Sequence, residues 1–129
     1  MASDEIVFRP IGRVENEIDE WAMPDVIRAV ESRIVLDPAY VDGLKGLAAQ
    51  KRVMVVFYFD RADGYALQQH PRGDASRPLR GVFALCSPNR PNGIGVTVVD
   101  LLEIDGNVLH VTGLDAINST PVLDLKPAD

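Results

Sequence analysis

The apolar positions of the chain gather in short runs, "IVFRPIGRV", "SRIVLD", "RVMVVFYF", "GVFAL", "IGVTVVDLLEI", "NVLHVTGL" and "PVLDL", separated by clusters of glycine, proline and asparagine. Runs of this length, rich in β-branched and aromatic residues and punctuated by breakers, predict an all-β sandwich or barrel with only short helices. In "VTVVDLLEI", Val96, Val98, Asp100, Leu102 and Ile104 share one strand face, while Thr97, Val99, Leu101 and Glu103 share the other. Neither face is purely polar, which predicts a strand that is central or covered on both sides. "EIDGNVLHV" places Asp105, Gly106 and Asn107 between two such runs. Asp-Gly supplies the positive φ of a tight turn, so strands near 96–104 and 108–112 are expected to pair antiparallel. Helix is scarce. "DPAYVDGLKGLAAQ" predicts one short helix over 39–50, with Pro38 near its start and Gly43 and Gly46 weakening it, and "PDVIRAVES" predicts another turn or two.

Composition narrows the picture. At 129 residues, with 47% apolar and 25% charged residues, the chain is expected to form one globular domain over residues 1–129. A single cysteine, Cys86, excludes an internal disulfide and a Cys-rich zinc site and suits a reducing cytoplasm. His70 and His110 are too few and too far apart for a metal centre, so no metal is expected. The longest apolar run, Val53 to Phe59, is far short of a membrane span, and "MASDEIVF" lacks the basic start of a secretion signal. The expectation is a cytoplasmic protein without a membrane partner. A net charge of -6 argues against wholesale binding of nucleic acid. The distribution is uneven, however: residues 72–90 hold Arg72, Arg77, Arg80 and Arg90 against Asp74 alone. That segment is either a solvated arginine-bearing loop or a basic patch.

"CSPNRPNGIG", residues 86–95, sits where this positive charge gathers. Pro88 and Pro91 fix φ, Gly93 and Gly95 permit close backbone approach, and Asn89 and Asn92 can close local turns. The result is a stiff loop between strands. It serves either as a rigid connection or as a pocket wall that presents backbone amides and carbonyls to a ligand.

Together with "PIGRVEN", "VMVVFYFDR" and "LDAINSTPVLDLKP", the stretch "RGVFALCSPNRPNGIGVTVVDLLE" resembles the TrmO (YaeB, TsaA-like) family of S-adenosylmethionine-dependent methyltransferases, whose members read "GVFATRSPxRPNPIG" and "DxxDGTPVLDIKPY". The resemblance covers nearly the whole chain. It implies a small closed β-barrel rather than a Rossmann sheet, and it is consistent with the residues, since there is no G-x-G-x-x-G and no strand-helix alternation. It further implies a homodimer with the cofactor near the subunit interface, and methylation of N6 of N6-threonylcarbamoyladenosine beside the anticodon of a threonine transfer RNA. The implied cofactor pocket comprises Phe59, Asp60 and Arg61; Cys86, Ser87, Arg90, Asn92, Ile94, Gly95 and Val96; Asp115, Ile117, Asn118, Ser119 and Thr120; and, in a looser alignment, Met23 and Pro24. The catalytic candidates are Asp60 and Asp124 as proton acceptors and Arg90 as a partner for a carboxylate or phosphate.

The chain departs from the family pattern at several positions. Cys86 replaces an arginine, Asp60 a histidine, Gly93 a proline, Asn118-Ser119 the pair Asp-Gly, and Ala128 a tyrosine. The lost cation at Cys86 and the acidic balance weaken a transfer RNA substrate. Two other readings therefore stand beside it: a methyltransferase with a small-molecule or other acceptor, and a non-catalytic module that binds S-adenosylmethionine.

Overall fold

The structure, a computed structural model, describes residues 4–128. Eight strands form: β1 (Gly12–Glu15), β2 (Ser32–Leu36), β3 (Arg52–Tyr58), β4 (Gln68–Gln69), β5 (Arg80–Gly81), β6 (Ile94–Asp105), β7 (Val108–Thr112) and β8 (Pro121–Pro127). Six of them close into a barrel in the order β1-β2-β7-β6-β3-β8, and β4 and β5 make a separate two-stranded sheet. Every pairing is antiparallel. Closure leaves no free edge in the barrel.

Period-2 alternation explains which side chains turn inward. On β3, Val53, Val55 and Phe57 are buried while Met54, Val56 and Tyr58 face outward. With Val14, Ile34, Leu36, Val99, Leu109, Val111, Leu114 and Val122 they fill one core. Each such side chain contributes roughly 1.5–3 kcal/mol by leaving water.

β6 is long because it serves two neighbours. Its first half pairs with β3 (Ile94–Asp100) and its second with β7 (Asp100–Asp105), with a register shift between Leu101 and Glu103 that bends the strand around the barrel. The expected hairpin is present as a two-residue turn in which Gly106 takes φ 61.

Three expectations are corrected. The single helix over 39–50 is instead two 3-10 segments, Pro38–Leu44 and Leu47–Ala49, interrupted where Gly46 adopts φ 90. "GVFAL" is not a strand: after β5 it forms a 3-10 turn over Val82–Ala84, burying Val82 and leaving Phe83 exposed. Of "IVFRPIGRV" only the last three residues enter a strand, β1 (Gly12–Glu15), and Ile6, Val7 and Phe8 are exposed ahead of it. The helix expected in "PDVIRAVES" is α1 (Pro24–Arg28).

Candidate functional site at one mouth of the barrel

An antiparallel barrel gathers its connections at two mouths. The first receives the loops 16–31, 59–93 and 113–120; the second receives the 37–51 connection and the β6–β7 turn. The loop candidates from the sequence all fall on the first set, although they come from three distant parts of the chain. Ile94, Gly95 and Val96 begin β6 at the same mouth, with Ile94 and Val96 on the outer wall.

Hydrogen bonds knit these loops together. Phe59 N–H donates to Gly93 O (2.7 Å), joining the end of β3 to the proline-rich loop. Thr97 Oγ1 donates to Asp115 Oδ1 (2.5 Å), and Arg28 Nη2 donates to Asp115 Oδ2 (3.1 Å). One carboxylate therefore ties β6 and α1 to the 113–120 loop. Charge-assisted contacts of this kind, partly shielded from water, hold their geometry better than an exposed ion pair.

Asn118 is a second node. Its N–H donates to Ile18 O (2.7 Å), its Nδ2 to Asp19 Oδ1 (3.1 Å), and its Oδ1 accepts from Asn16 N–H (3.2 Å). Arg61 reaches the same place, donating to Asp19 O (2.6 Å) and Asn118 O (3.2 Å). Beneath it Asn16 is buried, its Nδ2 donating to Ser32 Oγ (3.0 Å) and Ala116 O (2.9 Å) while its Oδ1 accepts from Ile18 N–H (3.0 Å). Among the described residues no buried side-chain polar atom lacks a partner.

Several of the candidate side chains carry internal hydrogen bonds. The side chains of Arg61 and Asn118 are engaged in bracing the loops. Thr120 is buried, its Oγ1 donating to Ile117 O (2.7 Å), and Ile117 is buried beside it; both support the loop from within. Ser119 is exposed at φ 71, a left-handed position where the family's glycine costs nothing and a serine is strained. Arg90 Nη1 donates to Leu85 O (2.8 Å) and Ser87 O (3.3 Å), fastening the proline-rich loop to itself. Asp124 lies apart from the others. It sits on the outer wall of β8, 3.1 Å from Lys126 Nζ, and lines a concavity of about 620 Å³ at the second mouth with Ile11, Leu36, Tyr40, Leu44 and Leu125.

What remains accessible at the first mouth is a small chemical set. Trp21 is half exposed and meets the Phe59 ring edge-on at 6.4 Å, and Phe59 in turn meets the buried Phe57 at 5.1 Å. Met23, at the start of α1, is also half exposed. Asp60 is exposed, as are Cys86 and Asn92, whereas Ser87 is half-buried. Gly95 lies against the Phe57 and Phe59 rings. Sequence reasoning missed Asn16, Trp21, Arg28 and Thr97. The single tryptophan beside a proline-started helix was the one available signal; the partners of Asn16, Arg28 and Thr97 lie too far along the chain to be read locally.

From this mouth the 59–93 excursion projects as an arm. Gln69 pairs with Arg80 across β4–β5, and its Nε2 donates to Asn89 O (2.6 Å), joining the arm to the proline-rich loop. At its tip Asp74 accepts from Ser76 Oγ (2.6 Å) and Ser76 N–H (3.0 Å), and these bonds hold its carboxyl below the ordinary range.

The family described as tRNA-methyltransferase O N-terminal domain matches residues 18–128. The chain is 36% identical over 130 residues to a "Probable S-adenosyl-L-methionine-binding protein" of Methanothermobacter thermautotrophicus, covering 98% of this chain and 93% of that one. It is 36% identical over 102 residues to the human "tRNA (adenine(37)-N6)-methyltransferase", covering 76% of this chain but 22% of the human one. Among solved structures it is similar to TrmO from Pseudomonas aeruginosa, with a TM-score of 0.73 and 30% identity over 98% of this chain and 57% of that one. The chain thus spans little more than half the length of that solved relative.

Proposed function

Because the chain belongs to the tRNA-methyltransferase O N-terminal domain family, we propose that it binds S-adenosylmethionine at the first mouth of its barrel and methylates N6 of N6-threonylcarbamoyladenosine beside the anticodon of a transfer RNA, in the cytoplasm. The observation that carries this is the convergence of the proline-rich loop and the 113–120 loop on that mouth, linked through Thr97 and Asp115. The residues suit the cofactor. Trp21, Phe59 and Met23 offer an aromatic and apolar face for an adenosyl group, and the backbone of residues 92–95 offers amides and carbonyls. Asp115 is already oriented by two donors and retains lone pairs for ribose hydroxyls.

S-adenosylmethionine, when bound, supplies a sulfonium methyl that needs no further activation. The protein's part is to place the attacking nitrogen in line behind that carbon. The nitrogen is amide-like, so a carboxylate that takes its proton as the new bond forms assists the transfer. Asp60, exposed at the mouth beside Phe59, fits that role better than the remote, lysine-paired Asp124.

The protein acts as a homodimer in this reading. Tyr58, Ile94, Val96 and Val98 form an apolar strip on the outer wall of β3 and β6, each more than 40% exposed in a single chain. A strip of this kind on a water-facing barrel wall marks an interaction surface, and a two-fold axis through it would bring a second copy beside the first mouth.

Isothermal titration with S-adenosylmethionine tests the pocket, and mass spectrometry of threonine transfer RNA incubated with protein and cofactor tests the acceptor. Binding with an unchanged nucleoside profile would leave the pocket standing and move the acceptor elsewhere. Labelled cofactor added to RNA-depleted and metabolite-depleted lysates would then identify the fraction that takes the methyl group.

A further inference from the structure

We infer that the β4–β5 arm is an RNA-gripping surface, with Arg77 and Arg80 contacting phosphates of the acceptor and Phe83 and Tyr65 offering rings to its unpaired bases; this rests on the transfer RNA reading above. The arm stands outside the barrel, anchored to the candidate cofactor loop by the Gln69–Asn89 bond, so whatever it holds lies next to the first mouth. Its tip concentrates positive charge on an otherwise acidic protein.

Among the described residues no ion pair engages Arg77 or Arg80. Arg72 makes only a long 3.8 Å contact to Asp25. The arm's own acids are Asp63, nearer the barrel, and Asp74, whose carboxylate is capped by Ser76 and feels the Arg77 charge without forming a salt bridge to it. The backbone is held stiffly. Arg72 occupies φ 55, a conformation a non-glycine residue adopts at a cost, and His70 Nδ1 donates to Arg77 O (2.7 Å), fixing the tip.

Exposed rings flank the arginines along the chain, Tyr65 before them and Phe83 after: Phe83 is 80% exposed and Tyr65 58%. Guanidinium groups outside any salt bridge, flanked by exposed aromatic rings, are the chemistry by which single-stranded RNA loops are held, through phosphate contacts and base stacking. A second copy of this chain fits the arm less well. A two-fold contact places a patch against itself and would bring these arginines face to face. The apolar β3–β6 strip carries no such penalty.

Arg77→Ala/Arg80→Ala and Phe83→Ala test the inference by fluorescence anisotropy with threonine transfer RNA across a salt series. Each lost phosphate contact lowers the slope of log affinity against log salt by about 0.7–0.9, so the double variant is expected to lose about 1.5 from the wild-type slope. Phe83→Ala is expected to weaken binding about tenfold with the slope unchanged. S-adenosylmethionine affinity should match wild type in both, which separates this surface from the pocket and shows that the variants are folded. A wild-type slope in the double variant overturns the inference while the transfer RNA reading stands. Wild-type protein that binds the cofactor but no transfer RNA overturns both. A change of sedimentation coefficient in place of a change of slope assigns the arm to a protein contact and also overturns the inference.

Discussion

Gly95→Ala probes how the barrel is wired to its mouth. Gly95 pairs across the sheet with Phe57, and a Cβ at this position would lie 2.5 Å and 2.6 Å from Cζ and Cε2 of Phe57 and 2.9 Å from Cζ of Phe59. Ordinary carbon contacts lie near 3.5–4.0 Å, so the overlap is about 1 Å against two rings. Phe57 is fully surrounded by core and has no space to retreat. Overpacking of this severity costs about 3 kcal/mol, and removing the glycine's freedom in the unfolded chain returns about 1, leaving a net loss of about 2 kcal/mol. For 129 residues the melting entropy is roughly 0.27 kcal/mol per kelvin, so the expected fall in Tm is about 7 °C. Calorimetry measures it, and the emission of the single tryptophan, Trp21, reports whether the Trp21–Phe59–Phe57 ring series has shifted. Gly93→Ala is the control. There the nearest atom to an added Cβ is 3.4 Å away, an ordinary contact, and Tm should stay within about 2 °C of wild type. A Gly95→Ala protein melting within about 1 °C of wild type, or a Gly93→Ala protein losing more than it, would refute this account of the packing.

Other perturbations follow from the same contacts. Ser119→Gly relieves a left-handed serine and should raise Tm by about 4 °C, equivalent to about 1 kcal/mol, by scanning calorimetry. Asn16→Ala orphans the buried groups that it joins and should cost about 3 kcal/mol in a urea titration, with the m-value unchanged. Thr97→Val keeps the shape of the side chain but frees one Asp115 oxygen; S-adenosylmethionine affinity should fall several-fold by titration while Tm moves little. Val98→Asp puts a charge on the apolar β3–β6 strip; if that strip is the proposed dimer contact, sedimentation velocity should show wild type as a dimer and the variant as a monomer at the same concentration, and a wild-type monomer refutes it.

The strands were legible because their signals are local, while the choice of a closed barrel over a sandwich came from the family resemblance. Alternation in β3, the Gly106 turn and the breakers between runs state their meaning within a few residues. The proline-rich loop was equally legible as a stiff element between strands. The partition of roles inside the site was not, because it depends on contacts between remote segments. Nothing near Asn118 or Arg61 reveals that Asp19 and Ile18 occupy their polar groups, whereas the pairing of Asp124 with Lys126, two residues apart on one strand face, was there to be read. The two faces of β6 show the boundary well. The sequence marks Val96 and Val98 as positions to be covered, and the single chain leaves them exposed, because which strand faces meet the core is set by the closure of the barrel and not by apolar content alone. "GVFAL" failed for a related reason: its apolar residues belong to an appendage with little interior of its own, and only Val82 found burial.

The pairing of Tyr58 with Ile94 means that the chain leaves the barrel and rejoins it at adjacent points, with residues 59–93 looped out between them. Closing such an excursion depends only logarithmically on its length, about 0.6 kcal/mol for each doubling. Evolution can therefore lengthen, shorten or re-decorate this appendage almost independently of the staves that carry it, provided that Gly93, Gly95 and Phe59 still seat its two ends. A scaffold wired this way lets the appendage change while the loops of the candidate site stay put.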